Sequence, residues 1–290
     1  MTQIISSLVD IANRYDVLLV DLWGCVHNGV SAYPEAVAAL KGFRKGGGTV
    51  VLLTNAPRSR HEVAKQLERL NVPQDAYDSI ATSGDSARAA MFRGAVGEKV
   101  WFMGQPHDES FFDEMELIES PVSIQRVELE EAEGIVCCGP FDPHADPSVN
   151  RPQFLYAKQK GLKLLCANPD IVVDRGETRE WCAGALAQLY TEMGGESLYF
   201  GKPHPPIYDL ARRRIAALDI DVDPSRILAI GDGVQTDVAG AMGEDIDVLF
   251  ITGGLAAQDT GTDTQPDPEK LAAYLAREGA SPQFSIGFLR

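Results

Sequence analysis

The sequence has few cysteines and no long apolar run. Its five cysteines are odd in number and their spacing matches no zinc-binding pattern, which argues against a disulfide framework or a zinc finger. We expect them to be buried, reduced thiols in a cytoplasmic protein. No apolar run approaches the ~20 residues of a membrane span, and the first residues do not resemble a signal peptide. Membrane-spanning and disulfide-scaffold classes are therefore not expected.

Positive charge is also scarce. Lysine and arginine total 26 against 42 aspartates and glutamates, a formal net charge of -16. This balance argues against nucleic acid and anionic membranes as partners. A hydrophobic content of 44% nevertheless indicates a globular protein. If so acidic a chain handles a phosphate, it needs local positive charge from a metal, a lysine or helix N-termini.

Polar residues follow several short apolar runs. Val17-Leu18-Leu19-Val20 is followed by Asp21, and a later run, 49–53, is followed by Thr54-Asn55. Such runs are typical of buried parallel strands, whose carboxyl ends form the ligand-binding edge of an open α/β sheet. Helical patterns alternate with the strands, so we expect an α/β protein with a doubly wound parallel sheet.

Two further strand ends carry chemistry. Lys202 follows the strand-like residues 197–200, and Asp232 follows the run 227–230, with Asp237 shortly after it. A carboxylate, a hydroxyl-plus-amide cradle, a lysine and an acid pair suit phosphoryl transfer, in which positioning and charge neutralisation provide most of the catalysis. One or two carboxylates suffice to hold Mg²⁺.

Local patterns give further expectations. We expect a leading helix over 6–15, a helix over 111–117, a mobile polar loop over 256–267 and a closing helix over 268–278. We also expect a core of 1–84 and 196–290, split by an inserted domain of 85–195.

The ordered set of motifs resembles the haloacid dehalogenase superfamily. Its four motifs are matched by Asp21-Leu22-Trp23-Gly24, Leu53-Thr54-Asn55, Gly201-Lys202-Pro203 and Gly231-Asp232 with Asp237. The run Leu165-Cys166-Ala167-Asn168-Pro169-Asp170 resembles the class IIA branch, which holds NagD-like and 4-nitrophenylphosphatase-like enzymes. The resemblance covers nearly the whole chain and implies a Rossmann-like core with an inserted α/β cap, over 85–195, that closes over the site and selects the substrate.

The resemblance also implies roles for individual residues. Asp21 would attack phosphorus and form an aspartyl-phosphate, while Lys202 would neutralise charge. Asp21, Asp232 and the backbone carbonyl of Trp23 would hold Mg²⁺, with Asp237 ordering metal-bound water. Thr54 and the Asn55 amide would hold phosphate oxygens. Asn168 and Asp170 match the cap signature as candidate substrate-binding residues.

Trp23 departs from the family pattern. Phosphatases of this family carry an aspartate two residues after the nucleophile, which protonates the leaving alkoxide and later activates water. An indole cannot act as that acid, and general acid–base help is worth ~10²–10⁴ in rate. His27, in the same loop, and His204, which follows Lys202, are candidate replacements; the alternative for His27 is a polar loop residue without a role.

These observations predict a Mg²⁺-dependent hydrolase of a small phosphomonoester, such as a sugar phosphate or a nucleotide, with weakened acid–base catalysis. Two alternatives stay open: a catalytically weak phosphate-ligand-binding protein, and a hydrolase that uses Asp21 on a non-phosphate electrophile. The expected partner is a small phosphorylated metabolite rather than nucleic acid or membrane, and a homodimer is allowed for.

Overall fold

The apolar runs of the sequence form β-strands in the structure. It is a computed structural model that describes residues 2–115, 118, 120–175 and 178–290. The strands of the described residues, in chain order, are β1 (Gln3–Ile4), β2 (Val17–Val20), β3 (Thr49–Thr54), β4 (Ser79–Thr82), β5 (Lys99–Met103), β6 (Gln125–Arg126), β7 (Gly134–Cys137), β8 (Lys163–Cys166), β9 (Val172–Arg175), β10 (Thr178–Trp181), β11 (Glu196–Tyr199), β12 (Ile227–Gly231), β13 (Asp247–Ile251) and β14 (Phe284–Ile286).

Helices alternate with most of these strands. The α-helices of the described residues are α1 (Pro34–Lys45), α2 (Arg60–Arg69), α3 (Ser83–Phe92), α4 (Arg151–Gln159), α5 (Ala183–Glu192), α6 (Pro205–Ala216), α7 (Ala239–Gly243), α8 (Ala257–Thr260) and α9 (Pro268–Glu278). A single π-helical turn, Val234–Val238, precedes α7.

The chain forms two compact units. The first comprises Met1–Thr54, Ala64–Ala81 and Tyr208–Arg290, and the second comprises Asn55–Val63 and Thr82–Ile207. The domain boundaries placed after residues 84 and 195 stay predictions.

The first unit is built on a seven-stranded sheet of order β1-β14-β13-β12-β2-β3-β4. The pairs from β1–β14 through β2–β3 are parallel. From the central β2 the chain moves outward to β3 and β4, and later returns on the other side of β2 as β12, β13 and β14. The strand order therefore reverses between β2 and β12, which is the topological switch point where open α/β sheets bind ligands.

The second unit has its own five-stranded parallel sheet, of order β11-β8-β7-β5-β6. Successive residues of β7 and β8 alternate between two buried clusters, because side chains of a strand point to opposite faces. Ile135 and Leu164 pack with α4 and α5 on one face, and Val136 and Leu165 pack with α3 on the other. The predicted α/β class with a doubly wound parallel sheet is confirmed.

Helix α9 shows how local signals set an element. The Asp267 carboxylate accepts hydrogen bonds from the backbone N–H groups of Glu269 and Lys270, and Pro268 occupies the first turn. Gly279 ends the helix with φ of 66°. These are the preferred start and stop residues of helices, so the predicted range 268–278 is confirmed.

Several local predictions were wrong. The leading helix over 6–15 consists of two short 3₁₀ turns, Leu8–Asp10 and Ala12–Arg14. The segment 256–267 contains α8, and the expected helix over 111–117 is instead a 3₁₀ helix over Pro106–Phe112. Residues 116 and 117 of that prediction lie outside the described residues. Each miss concerns an element too short for helical periodicity to be diagnostic.

Candidate active site

The strand ends at the switch point of the first unit hold two buried aspartates. Asp21 follows β2 and Asp232 follows β12, and the two strands pair in register with Val20 opposite Ile230. The Asp21 N–H donates to the Ile230 carbonyl over 2.8 Å, so the strand pairing extends to Asp21. Both carboxylates are more than nine-tenths buried. The sheet therefore presents the two predicted residues side by side.

Cys25 completes this group. One carboxylate oxygen of Asp21, one of Asp232 and the Cys25 sulfur all lie within 4.8 Å of one another, and all three residues are buried. Two carboxylates that converge in a buried place repel each other unless a cation lies between them. Their oxygen donors are the ligands that Mg²⁺ prefers. The two carboxylates therefore fit the predicted magnesium ion.

Gly24 allows this convergence. Its φ of 78° lies in the left-handed region, and a Cβ there would collide with the Asp232 carboxylate. Any residue but glycine at this position would push Asp232 away from Asp21. The Asp232 carboxylate also accepts a hydrogen bond of 3.1 Å from the Leu255 N–H.

Asp237 lies in the π-helical turn after β12. Its buried carboxylate accepts a hydrogen bond of 3.0 Å from the Gly233 N–H, and its own N–H donates to the Gly233 carbonyl over 2.8 Å. These contacts hold the loop that follows Asp232. Asp237 is not one of the three converging groups, and its metal-linked role stays a prediction.

Trp23 packs on its own loop. Its ring meets the His27 ring edge-on, with centroids 5.3 Å apart, and lies directly against Gly29. Isolated β-bridges join Trp23 to His27 and His27 to Ala32. The indole thus stabilises the loop that follows Asp21, and the acid of the family pattern has no counterpart at residue 23.

His27 has the environment of a neutral imidazole. It is buried, and its Nδ1 accepts a hydrogen bond of 3.0 Å from the Gly29 N–H, which leaves the ring proton on Nε2. Burial lowers the pKa of His27 to about 4. A group that is almost never protonated at neutral pH is a poor general acid, so this environment disfavours the replacement role considered for His27.

Thr54 lies at the end of β3, the strand next to β2. It is buried, and Val20 of β2 pairs with Leu52 two residues before it. Since carboxyl ends of neighbouring parallel strands share one edge, Thr54 lies at the same edge of the sheet as Asp21. Its contact with phosphate stays a prediction.

In the second unit, the side chain of Asn55 binds the backbone of Lys202. The amide oxygen of Asn55 accepts from the Lys202 N–H over 2.7 Å, and its nitrogen donates to the Lys202 carbonyl over 3.1 Å. The same nitrogen donates to the Asp170 carboxylate over 2.8 Å. Asn55 and Lys202 are each 2% exposed. The Asn55 side chain therefore positions Lys202 and Asp170, a role that the sequence motif did not reveal.

Gly201 makes this packing feasible. A Cβ on Gly201 would lie 2.5 Å from the Asn55 amide oxygen and 2.7 Å from the Ser83 hydroxyl. Such distances are too short for carbon beside oxygen, so glycine is required here for lack of space. The Ser83 hydroxyl is fully buried and has no hydrogen-bond partner.

Asn168 and Asp170 belong to one turn. The Asn168 side-chain oxygen accepts from the Asp170 N–H over 3.0 Å, and the Asp170 carbonyl accepts from the Gly184 N–H of α5 over 3.1 Å. Asn168 thus stabilises a turn that presents Asp170 to Asn55. The substrate-binding role of both residues stays a prediction.

The cysteines and the apolar character of the helices concern the class of protein. All five cysteines are buried, as predicted, and none of these described residues is in a disulfide. Cys25 is the residue whose importance sequence analysis missed, because a thiol near apolar residues indicates packing; its place four residues after Asp21 was the available signal. Among the described residues, no helix is both long enough and apolar enough to cross a bilayer.

Comparison with known proteins places these residues in matched regions. The family model for haloacid dehalogenase-like hydrolases matches residues 18–118, and a HAD-hydrolase-like model matches residues 199–277. The first range includes Asp21, and the second includes Lys202, Asp232 and Asp237.

Similar proteins cover almost the entire chain. A hydrolase of the haloacid dehalogenase-like family from Brucella suis 1330 is 38% identical, with coverage of 99% of this chain and 100% of that one and a TM-score of 0.86. Human glycerol-3-phosphate phosphatase is 24% identical over 87% of this chain and 84% of its own length. A glycerol phosphate phosphatase from Mycobacterium tuberculosis, solved with magnesium, shares the fold at a TM-score of 0.62, with 23% identity and coverage of 87% and 72%.

Proposed function

The chain belongs to the haloacid dehalogenase-like hydrolase family, and from that premise we propose that it is a Mg²⁺-dependent phosphatase of small phosphomonoesters. The observation that carries the proposal is the convergence of two buried carboxylates, Asp21 and Asp232, at the switch point of the sheet. Its relatives named for glycerol phosphate support a small polyol or sugar phosphate as the substrate class.

In this proposal Asp21 is the nucleophile. A carboxylate oxygen of Asp21 attacks phosphorus, the bond from phosphorus to the ester oxygen breaks, and the phosphoryl group is carried as an aspartyl-phosphate. Water then attacks this phosphorus, which releases inorganic phosphate and restores the carboxylate. Asp21, Asp232 and the Trp23 carbonyl would hold the metal, and a bound Mg²⁺ supplies positive charge to the phosphate oxygens.

The other residues are proposed to serve binding and charge. Lys202 neutralises the negative charge of the phosphate, and Asn55 fixes the backbone of Lys202. Thr54 donates its hydroxyl to a phosphate oxygen. Asp237 keeps the loop after β12 in place through Gly233. Each of these side chains is buried, so little reorganisation is needed during the reaction.

Trp23 predicts an unusual substrate dependence. Without an acid at residue 23, the leaving alkoxide takes its proton from water, so esters with poor leaving groups should react slowly while nitrophenyl phosphate reacts well. The lack of a base for the second step should also lengthen the lifetime of the aspartyl-phosphate. General acid–base catalysis raises the rate by ~10²–10⁴, so we expect turnover of esters with poor leaving groups to be lower by that factor.

The same residue favours a second candidate function. Since Trp23 packs on Gly29 and His27 is neutral, a protein that binds a phosphorylated ligand with little turnover also fits. For either function we propose a reducing, cytoplasmic setting, because none of the five buried cysteines is in a disulfide. A homodimer stays a prediction.

Phosphate release tests the proposal. Sugar phosphates, glycerol phosphate, nucleotides, pyridoxal phosphate and nitrophenyl phosphate would be assayed with Mg²⁺ and with a chelator. Asp21→Asn should lower turnover on the order of 10⁴-fold or more, whereas the exposed Asp221→Asn should not. Absence of Mg²⁺-dependent release from the folded wild type, together with tight binding of a phosphorylated compound, would instead support the binding protein.

A further inference from the structure

The Cys25 thiol is an unexpected member of the carboxylate group in the first unit. Its sulfur and one oxygen each of Asp21 and Asp232 lie within 4.8 Å of one another. The residue is 1% exposed, so the sulfur faces these neighbours rather than solvent. A Mg²⁺ site has no use for sulfur, because Mg²⁺ takes oxygen ligands. The thiol therefore adds a donor that the proposed function does not require.

A tight turn after β2 brings the sulfur to this place. The Val26 N–H donates to the Leu22 carbonyl over 2.8 Å, and the Gly24 N–H donates to the His27 carbonyl over 2.9 Å. These bonds curl residues 22–27, so Cys25 comes back towards the end of the strand that carries Asp21. The position of the thiol is thus fixed by backbone hydrogen bonds rather than by a mobile side chain.

The chain beyond the turn is tied to it as well. The Tyr33 N–H donates to the Val26 carbonyl over 2.8 Å, which anchors the backbone of the residue next to Cys25.

The mixed donor set has a recognisable chemistry. Carboxylate oxygens with one cysteine sulfur suit thiophilic divalent ions, above all Zn²⁺, which accepts sulfur and oxygen ligands in a tetrahedral arrangement. We propose that Asp21, Cys25 and Asp232 form a site for a thiophilic divalent cation such as Zn²⁺, which competes there with Mg²⁺. On binding, the S–H bond breaks, its proton leaves to solvent, and the thiolate and both carboxylates bind the ion.

This inference rests on the proposed function only in that the two share Asp21 and Asp232. It adds that Cys25 gives the site an affinity for Zn²⁺ well above that for Mg²⁺, and that Zn²⁺ bound there excludes Mg²⁺. Zn²⁺ should therefore inhibit any Mg²⁺-dependent turnover, and Cys25→Ser should relieve that inhibition. Serine keeps the size of the side chain and removes the soft donor.

Cd²⁺ absorption tests the proposal without relying on activity. The full chain, stripped of metals by dialysis against a chelator, would be titrated with Cd²⁺ while the ultraviolet thiolate-to-cadmium band is recorded. The matched control is Cys182→Ser, because Cys182 is likewise buried and has a carboxylate, Asp170, in its surroundings. One equivalent of Cd²⁺ should give the band in the wild type and in Cys182→Ser, and Cys25→Ser should lose it.

Competition against Cd²⁺ gives the second readout. The Kd for Zn²⁺ should rise at least about tenfold in Cys25→Ser, while the Kd for Mg²⁺ should change less than about threefold. No band in the folded wild type would overturn the proposal, and this result does not depend on whether the variant folds. An equal band in Cys25→Ser would also overturn the proposal. A Cys25-dependent band without phosphate release would overturn only the proposed function. Phosphate release without a Cys25-dependent band would overturn only the proposed Zn²⁺ site.

Discussion

The acidic group of the first unit and the Asn55–Lys202 pair of the second are built on opposite principles. Asp21 and Asp232 bring two carboxylates of like charge together in a buried place, with the Cys25 thiol beside them. Asn55 instead matches the donor and the acceptor of the Lys202 backbone with its own acceptor and donor. The first arrangement gains stability when a cation binds, whereas the second is satisfied by its own hydrogen bonds.

The comparison suggests how each region contributes to function. Binding of a cation strongly stabilises a cluster of like charge, so such a cluster suits the metal and the reacting carboxylate. A hydrogen-bonded clamp changes little on binding, so it suits a residue whose position must be fixed beforehand. Four predictions, ordered by the size of the expected effect, test this difference.

Restoring an acid in the first region should have the largest effect. Trp23→Asp should raise turnover of alkyl phosphates by ~10²–10⁴, because the new carboxyl can protonate the leaving oxygen. Nitrophenyl phosphate, with its good leaving group, should gain much less. Steady-state rates on both substrates would measure the gain, with Trp23→Asn as the matched variant of similar size that cannot donate a proton. Equal gains in Trp23→Asn and Trp23→Asp would show that loss of the indole, not the acid, is responsible.

Breaking the clamp in the second region should mainly cost stability. Asn55→Ala removes two buried hydrogen bonds and one partly buried one and leaves the Lys202 N–H without its acceptor, so the free energy of unfolding should fall by about 3 kcal/mol. Asn168→Ala removes the hydrogen bond from the Asp170 N–H in the neighbouring turn and should lower the free energy of unfolding by about 1 kcal/mol. Urea unfolding followed by circular dichroism would compare them. Equal losses would contradict the special role of Asn55.

Divalent cations should stabilise the first region through its carboxylates. Without metal, Asp232→Asn should be as stable as the wild type or slightly more stable, since one of two repelling charges is gone. With saturating Mg²⁺ at about 100 times its Kd, the wild type should gain about 2.7 kcal/mol and the variant far less. Thermal melting with and without Mg²⁺ measures both. An equal gain in the variant would place the bound metal elsewhere.

Low pH should slightly lower the free energy of unfolding through His204, two residues after Lys202. Its ring stacks on Tyr199 with centroids 4.7 Å apart, and burial lowers the pKa of His204 below its ordinary value. The unfolded chain therefore takes up the proton first, so the stability contribution is full above about pH 6.5 and is lost as the pH falls below it. His204→Phe keeps the stack without the proton. Between pH 7 and pH 5 the urea midpoint of the wild type should fall more than that of His204→Phe. Equal falls in the two proteins would show that His204 does not contribute.

The parts that could be predicted from the sequence share a physical cause. Strands β2, β3 and β12 are buried on both faces of a parallel sheet, so they read as uninterrupted apolar runs, and the residues that follow them lie at one edge. Asp21 and Asp232 could therefore be placed from pattern alone. Their positions in the structure agree with the expected switch point.

The parts that could not be predicted depend on distant contacts. Asn55 binds Lys202 across 147 residues of chain, and no local pattern reports such a pair. The sequence around Cys25 indicates a residue that packs in the core. Its sulfur lies near the carboxylates because of the turn after β2, which the sequence pattern does not show. The antiparallel pair of β9 and β10 carries charged residues in both strands, so no clear alternation of apolar and polar residues predicts it.

Rapid-quench labelling of the protein tests the central claim most directly. Wild-type protein mixed with ³²P-labelled substrate and Mg²⁺ should carry label on Asp21 for a readily measured time, because Trp23 supplies no base for the second step. Label should be absent with a chelator and in Asp21→Asn. Label retained in Asp21→Asn, or phosphate released by the wild type without any labelled Asp21, would contradict the account.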